Sequence, residues 1–344
     1  MNLLVITQKV DKKDSVLGAY HRWVEEFSKH YESVIIICLY KGEYNLPSNV
    51  KVLSLGKESS PSRINYLKLF YKYIWQERKN YDRVFVHMNE EYVLLAGMWW
   101  RLSGKKIGMF RNHVHGTWKT PLAVWLSSVV FCTSPHSYTA RFKKTKIVPA
   151  GTDITKYRLT QDSKRVPRSI LSIGRIDPVK NIDVLIKSLY ILDEEGFDFV
   201  ANIVGDPDPK NIDYYEGLKQ DASDLIEKKK VVFHKAVPNP ETPKFYQSHE
   251  VYVNLTNSGS LDKTVLSAMV SKTIPVISNV SFKGVVDDRL IFEEKNPEDL
   301  ANKLKFALAL DIEERSRITD SLKLYVEENH SLEKTISLIN QSLE

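Results

Sequence analysis

Two cations stand five residues apart in the stretch GRIDPVKNIDVLIKSL, which begins at Gly174: Arg175 and Lys180. The run SILSI just before them (169–173) is apolar and ends at a glycine, as a buried strand does. After them Ile182, Leu185, Ile186 and Leu189 recur at helical spacing, with Asn181 as N-cap and Asp183 in the first turn. The pair is therefore expected at the carboxyl end of a strand and just ahead of a helix, where open α/β sheets bind ligands. A helix start offers free N–H donors and a positive dipole end, which suit an anion. A guanidinium plus an ammonium suit an anion of more than one charge, and the chemistry implied is the holding of a diphosphate.

Other chemistries are poorly represented. The dinucleotide pattern G-x-G-x-x-G follows no strand, and the P-loop pattern is absent; Gly56-Lys57-Glu58-Ser59 has the wrong spacing. Asp206-Pro207-Asp208, between Gly205 and Pro209, reads as a turn rather than a metal site, and no His/Cys cluster has ligand spacing. The two cysteines, Cys38 and Cys132, fall inside apolar strands and read as core thiols.

The elements that must position the two cations alternate along all 344 residues. Strands are expected at 3–7, 34–39, 50–55, 83–87, 106–111, 129–134 and 146–150. A second series follows at 169–173, 199–205, 231–236, 251–256, 274–278 and 290–294. Helical patterns fill intervals between them, which means parallel sheets covered on both faces. The fold class is α/β, with two Rossmann-like doubly wound domains facing a central cleft. The expected boundaries are 1–155, 156–329, and a last helix over 330–344 that packs back on the first domain. The amino terminus lacks a basic leader, and no apolar run reaches the length of a membrane span, so a cytoplasmic protein is expected, with the inner face of the membrane as a further station. The formal charge of +6 hides an asymmetry: residues 1–155 carry 23 Lys/Arg against 12 Asp/Glu, and the remainder 26 against 31. A basic first half points to an anionic partner, whether nucleic acid, an acidic membrane surface or a phosphorylated substrate.

The second half resembles the donor domain of retaining GT-B glycosyltransferases of the group 1 class. The resemblance is carried by GRIDPVKNIDVLI, then by IVGDPDP with Gly205, by VVFHKAVPNPETPKFYQ with Val237, and by VYVNLTNSGSLDKTVLSAMVSKTIPVIS. In the first half IVPAGTDITKY resembles the hinge. What the resemblance implies is transfer of a sugar from a nucleotide-diphosphate donor to a glycan or lipid-linked acceptor held by the first domain, with anomeric retention and no metal or other cofactor. Arg175 and Lys180 would stabilise the leaving diphosphate, whose oxygen would take the acceptor's proton. Gly174, Gly259, Ser260, Leu261, Asp262, Lys263, Thr264 and Ser267 would line the donor site. Gly18 matches one glycine of the family's phosphate loop. His113, rather than His115, matches the histidine that contacts the donor sugar.

One departure stands out in SGSLDKTVLSAM. The family places two glutamates eight positions apart, where this chain has Gly259 and Ser267. Asp262 and Lys263 are added charges at the start of the next helix: Lys263 is available for the phosphate site and Asp262 for capping the helix or holding a sugar hydroxyl, with a solvated helix start as the plain alternative. The loss keeps two alternatives open, a nucleotide-sugar-binding protein without turnover and a GT-B-fold nucleotide-sugar isomerase. In the first half, 63–83 interleaves six cations with Tyr66, Phe70, Tyr71, Tyr73 and Trp75. It reads as a core helix with snorkelling cations, as a contact to an anionic membrane or lipid-linked acceptor, or as a nucleic-acid surface. With the family resemblance, the expected partners are the donor, the acceptor and peripheral membrane, and not nucleic acid.

Overall fold

The computed structural model describes every residue except 15, 60, 61, 160–163 and 260. The chain divides into two compact units, one formed by 1–151, 238–240 and 331–344, the other by 152–237 and 241–330.

In the first unit the elements are β1 (Asn2–Val10), α1 (Ala19–Ser28), β2 (Ser33–Lys41), β3 (Val50–Ser54), α2 (Arg63–Glu77), β4 (Arg83–His87), α3 (Glu90–Leu102), β5 (Lys106–Phe110), α4 (Lys119–Leu126), β6 (Val129–Cys132) and β7 (Thr145–Ile147). Its seven strands run in the order β3-β2-β1-β4-β5-β6-β7, every neighbouring pair parallel. Successive residues of a strand serve opposite faces, and the two cores follow that alternation. Leu3 and Val5 point to the side covered by Trp23, Val24 and Phe27 of α1. Leu4 and Ile6 point to the side covered by α2, α3 and α4 through Phe70, Ile74, Val93, Trp100 and Val124.

The second unit holds α5 (Ile154–Tyr157), β8 (Ser169–Ile173), α6 (Ile182–Glu194), β9 (Val200–Val204), α7 (Ile212–Asp221), α8 (Ser223–Glu227), β10 (Val231–His234), α9 (Thr242–Ser248), β11 (Val251–Asn254), α10 (Lys263–Val270), β12 (Ile274–Ile277), α11 (Pro297–Ala309) and α12 (Ile312–Asn329). Its parallel sheet has the order β10-β9-β8-β11-β12. The final helix, α13 (Leu332–Leu343), puts Leu332, Ile336, Ile339 and Leu343 into the α1-side core of the first unit.

The sixth strand expected at 290–294 is not one. Asp287 accepts from Arg289 N and caps a 3₁₀ turn over Asp288–Leu290, and only Ile291 bridges to Ile277 of β12. Leu290 and Phe292 are buried, so the apolar run fills the core without joining the sheet.

Candidate functional site

Strand order in the second sheet reverses between β8 and β11: β9 and β10 are added on one side of β8, β11 and β12 on the other. The carboxyl ends of two strands that diverge this way leave a crevice. Gly174, Arg175, Lys180, Asn254 and Thr256 line it.

The loop after β8 is held against the loop after β9. Gly174 N donates to Val204 O at 3.0 Å and Ile176 N to Asp206 O at 3.1 Å, with a bridge between Ile176 and Pro207. Gly205 makes that approach possible, since a Cβ there would lie 1.9 Å from Gly174 O. Arg175 is half exposed and lies 3.3 Å from Asp208 Oδ2 and 3.8 Å from Asp177 Oδ2. Asp177 is buried; it accepts from Val179 N at 3.2 Å and from the Asn211 amide at 3.0 Å, which shapes the 3₁₀ turn Pro178–Lys180. Asn181 does occupy the N-cap position of α6, but with φ +49° and no capping bond from its side chain. Its amide instead donates to Leu255 O at 2.9 Å, tying the turn to the end of β11.

Lys180 points the same way. Its Nζ donates to Thr256 Oγ1 at 3.0 Å and to Asp262 Oδ2 at 3.1 Å. Asp262 is the N-cap of α10, accepting from Thr264 N at 3.1 Å and Thr264 Oγ1 at 2.7 Å through Oδ1. Its Oδ2 also accepts from the Asn254 amide at 3.1 Å and the Thr256 hydroxyl at 3.2 Å. Burial alone would raise this carboxyl, but the Lys180 ammonium and the Thr264 and Asn254 donors together hold it well below the usual carboxylate range. Tyr252, fully buried in β11, completes the network by donating to Thr264 Oγ1 at 2.6 Å. Lys263, half-buried beside it, is brought down to about 8 by desolvation.

The remaining donor-loop residues are distributed as follows. Gly259 has φ +137°, a conformation that favours glycine. Ser258 N donates to Glu294 Oε1 at 2.7 Å, anchoring the loop to the segment after Phe292. Ser267 is buried and its hydroxyl donates to Lys263 O at 3.0 Å within α10. Leu261 is half-buried in the loop, Val237 half-buried after β10, and Ser260 lies outside the described residues. The structure thus brings Arg175, Lys180, Asp262 and Thr264 together around the ends of β8 and β11.

Gly18 and His113 belong to the first unit. Gly18 precedes α1 in helical conformation, donates to Asp14 O at 3.0 Å, and has no room for a Cβ, which would come within 2.3 Å of Asp14 O. His113 and His115 are exposed in the loop after β5. Arg111, buried and 3.0 Å from Glu90 Oε2, braces that loop by donating to His115 O at 3.1 Å. Tyr138 N donates to His113 O at 2.9 Å, and desolvation plus the Arg111 charge push the imidazole down from its ordinary value.

Sequence reasoning missed Asp177, Asn254 and Thr256. A usable signal existed for the last two: they follow the apolar core of a strand, at its carboxyl end.

Residues 153–323 match the model of the family described as glycosyl transferases group 1. A search of curated protein sequences gives no significant match. Solved structures similar along the whole chain include Anabaena Alr3699/HepE, crystallised with UDP and glucose, at TM-score 0.78 and 16% identity over 100% of this chain and 99% of that one. A glycosyltransferase from Rickettsia africae aligns at TM-score 0.78 and 14% identity, covering 99% and 97%. WaaG, a glycosyltransferase of lipopolysaccharide biosynthesis, aligns at 0.69 and 12% identity, covering 99% of each chain. The fold is GT-B.

Proposed function

We propose that this chain of GT-B fold is a group 1 glycosyltransferase and moves a sugar from a nucleotide-diphosphate donor to a glycan or lipid-linked acceptor with retention of anomeric configuration, a reading supported by the family match over 153–323. One observation carries the reading: Arg175 and Lys180 converge on the switch point of the second sheet, at strand ends and helix starts, and their charges suit the diphosphate that leaves. As the anomeric C–O bond to phosphate breaks, the acceptor oxygen bonds to that carbon. The acceptor's proton passes to the departing phosphate oxygen, so no protein nucleophile or metal is called for. UDP is the first nucleotide to try, because HepE was crystallised with it. In this reading Thr264 and Lys263 serve the phosphates with Arg175 and Lys180, Gly174 and Gly205 shape the pocket, and Gly259, Leu261 and Asp262 face the sugar. Gly18 and His113 are assigned by family resemblance, His113 as the residue that orients the sugar and the first unit as the one that holds the acceptor.

A second reading, binding without turnover, is favoured by the loop itself. Where the family has its first glutamate the backbone of Gly259 adopts φ +137°, and the Ser267 hydroxyl is turned back onto α10. Calorimetric titration of UDP, GDP, ADP and TDP into wild type and into Arg175→Ala/Lys180→Ala tests both. Binding of one nucleotide, abolished in the double variant, supports the site, and release of sugar from the matching donor then separates transfer from mere binding. No binding by any of the four overturns the proposal.

A further inference from the structure

The outer surface of the α2–α3–α4 layer plays no part in that chemistry. Helix α2 buries Phe70 and Ile74 against the sheet and leaves Ile64, Leu67, Tyr71 and Trp75 in solvent. Their steps of three and four residues make one stripe. Tyr71 fixes its flank against α3 by donating to Leu95 O at 3.1 Å. On α3, Met98 and Leu102, one turn apart, are 49% and 82% exposed. The solvent side of α4 reads Trp118, Pro121, Leu122, Trp125, with Trp118 80% exposed. Arg101 joins α3 to α4 by donating to Trp125 O at 2.8 Å. All three helices cover the same face of the first sheet, so these side chains share one outer surface.

The charge on this layer is predominantly positive. Residues 63–144 hold 14 Lys/Arg against four Asp/Glu. Of the four, Glu77 and Glu90 are buried and paired with Lys51 and Arg111. Each exposed tryptophan carries a cation over its ring: Arg78 lies 4.2 Å from the Trp75 centroid, Lys119 6.0 Å from Trp118, and Arg101 5.1 Å from Trp125. Indole at the surface with an adjacent Lys or Arg is the arrangement of a membrane interface, the ring at headgroup depth and the cation on lipid phosphate. No helix among the described residues is long and apolar enough to cross a bilayer.

We propose that this face docks the protein peripherally on an anionic lipid bilayer. An isologous contact between two copies would set the same cations against themselves. Nucleic acid matches the charge but not the exposed aliphatic side chains of Met98, Leu102 and Leu122. The proposal stands on the first unit alone, and draws on the transferase reading only for the suggestion that the acceptor is lipid-linked.

The test is flotation of the full chain with vesicles of phosphatidylcholine alone or mixed with phosphatidylglycerol, alongside tryptophan quenching by brominated lipid. The expected results are retention on the anionic vesicles, weakened by salt, and quenching of exposed indoles. Trp118→Ser/Trp125→Ser should lower the partition coefficient about tenfold or more, with thermal unfolding and nucleotide binding unchanged. Lys68→Gln/Lys72→Gln should weaken binding to anionic vesicles only. No retention on any vesicle, or equal retention of wild type and the tryptophan variant, overturns the proposal. So does a concentration-dependent dimer in sedimentation that the tryptophan variant abolishes, which would assign the face to a second copy. Nucleotide titration of the same samples reports separately on the second unit.

Discussion

Lys180→Ala should destabilise the nucleotide-free protein well beyond what loss of a surface lysine costs, and Asp262→Asn should undo most of the damage. Lys180 is 30% exposed and Asp262 14% at a separation of 3.1 Å, so neither charge is fully solvated. Removing one member of a buried pair costs about 3–5 kcal/mol. Here Asp262 keeps neutral donors from Asn254, Thr256 and Thr264, so about 2–3 kcal/mol is expected instead. For a unit of this size that is a fall in Tm of about 4–10 °C. Asparagine at 262 removes the stranded charge and keeps a carbonyl to cap α10, so the double variant should recover all but about 1 kcal/mol. The pH dependence follows from the sign of the shift. The folded-state pKa of Asp262 is depressed, so its contribution is complete above the unfolded value of about 4 and is lost only as pH falls through the lower folded value. Without Lys180 the carboxyl rises, and the deficit of the single variant should shrink as pH approaches about 4. Differential scanning calorimetry of the four proteins from neutral pH downward reads all of this, without ligand so that binding does not mask stability. A Tm change under about 1 °C for Lys180→Ala, or no recovery in the double variant, would refute the argument.

Two further outcomes follow from the same loops. Lys263, brought down to about 8, is partly neutral just above that pH, and stability should rise with pH between about 8 and its unfolded value near 10.4. A diphosphate beside it restores the charge. Nucleotide binding near pH 8.5 should therefore take up part of a proton, seen as a buffer-dependent calorimetric enthalpy that Lys263→Met abolishes; a buffer-independent enthalpy counts against a phosphate role. Gly205→Ala sets a methyl 1.9 Å from Gly174 O. It should cost about 3 kcal/mol and loosen nucleotide binding as the β8 and β9 loops part, which thermal melts and titration measure together; a neutral result would mean the two loops move freely.

The centre of the first sheet was legible because β1, β2, β4, β5 and β6 are apolar runs bounded by turn residues, and parallel burial on both faces leaves little ambiguity. The run Leu290-Ile291-Phe292 met the same description and failed, because a core also accepts apolar side chains from a turn. The location of Arg175 and Lys180 was readable from a strand followed by a helix. What Lys180 touches was not, since Asn254, Thr256 and Asp262 are brought to it by the crossover from β8 to β11, which no local spacing encodes. Asn181 stands at the N-cap of α6 as its residue type suggested, but its side chain serves a strand-end carbonyl instead of the helix, a partner that local spacing does not reveal. In α2 the helical period was clear while the solvent side was not, because apolar residues line both flanks.

The course of α13 sets the order in which the molecule can be completed. Leu332, Ile336, Ile339 and Leu343 belong to the core that β1 and α1 begin, and Gly108 of β5 leaves only 3.0 Å between a would-be Cβ and Leu343. The second unit is strung between these parts, its ends joined by the bond from Thr152 N to His330 O at 2.8 Å. During synthesis the unit that emerges first from the ribosome must therefore wait, one flank of its sheet covered by α1 but not yet by α13, while the whole of the second unit is made. The amino-terminal half is the first to start and the last to close, and the apolar floor under α13 is the surface a chaperone would meet in the interval.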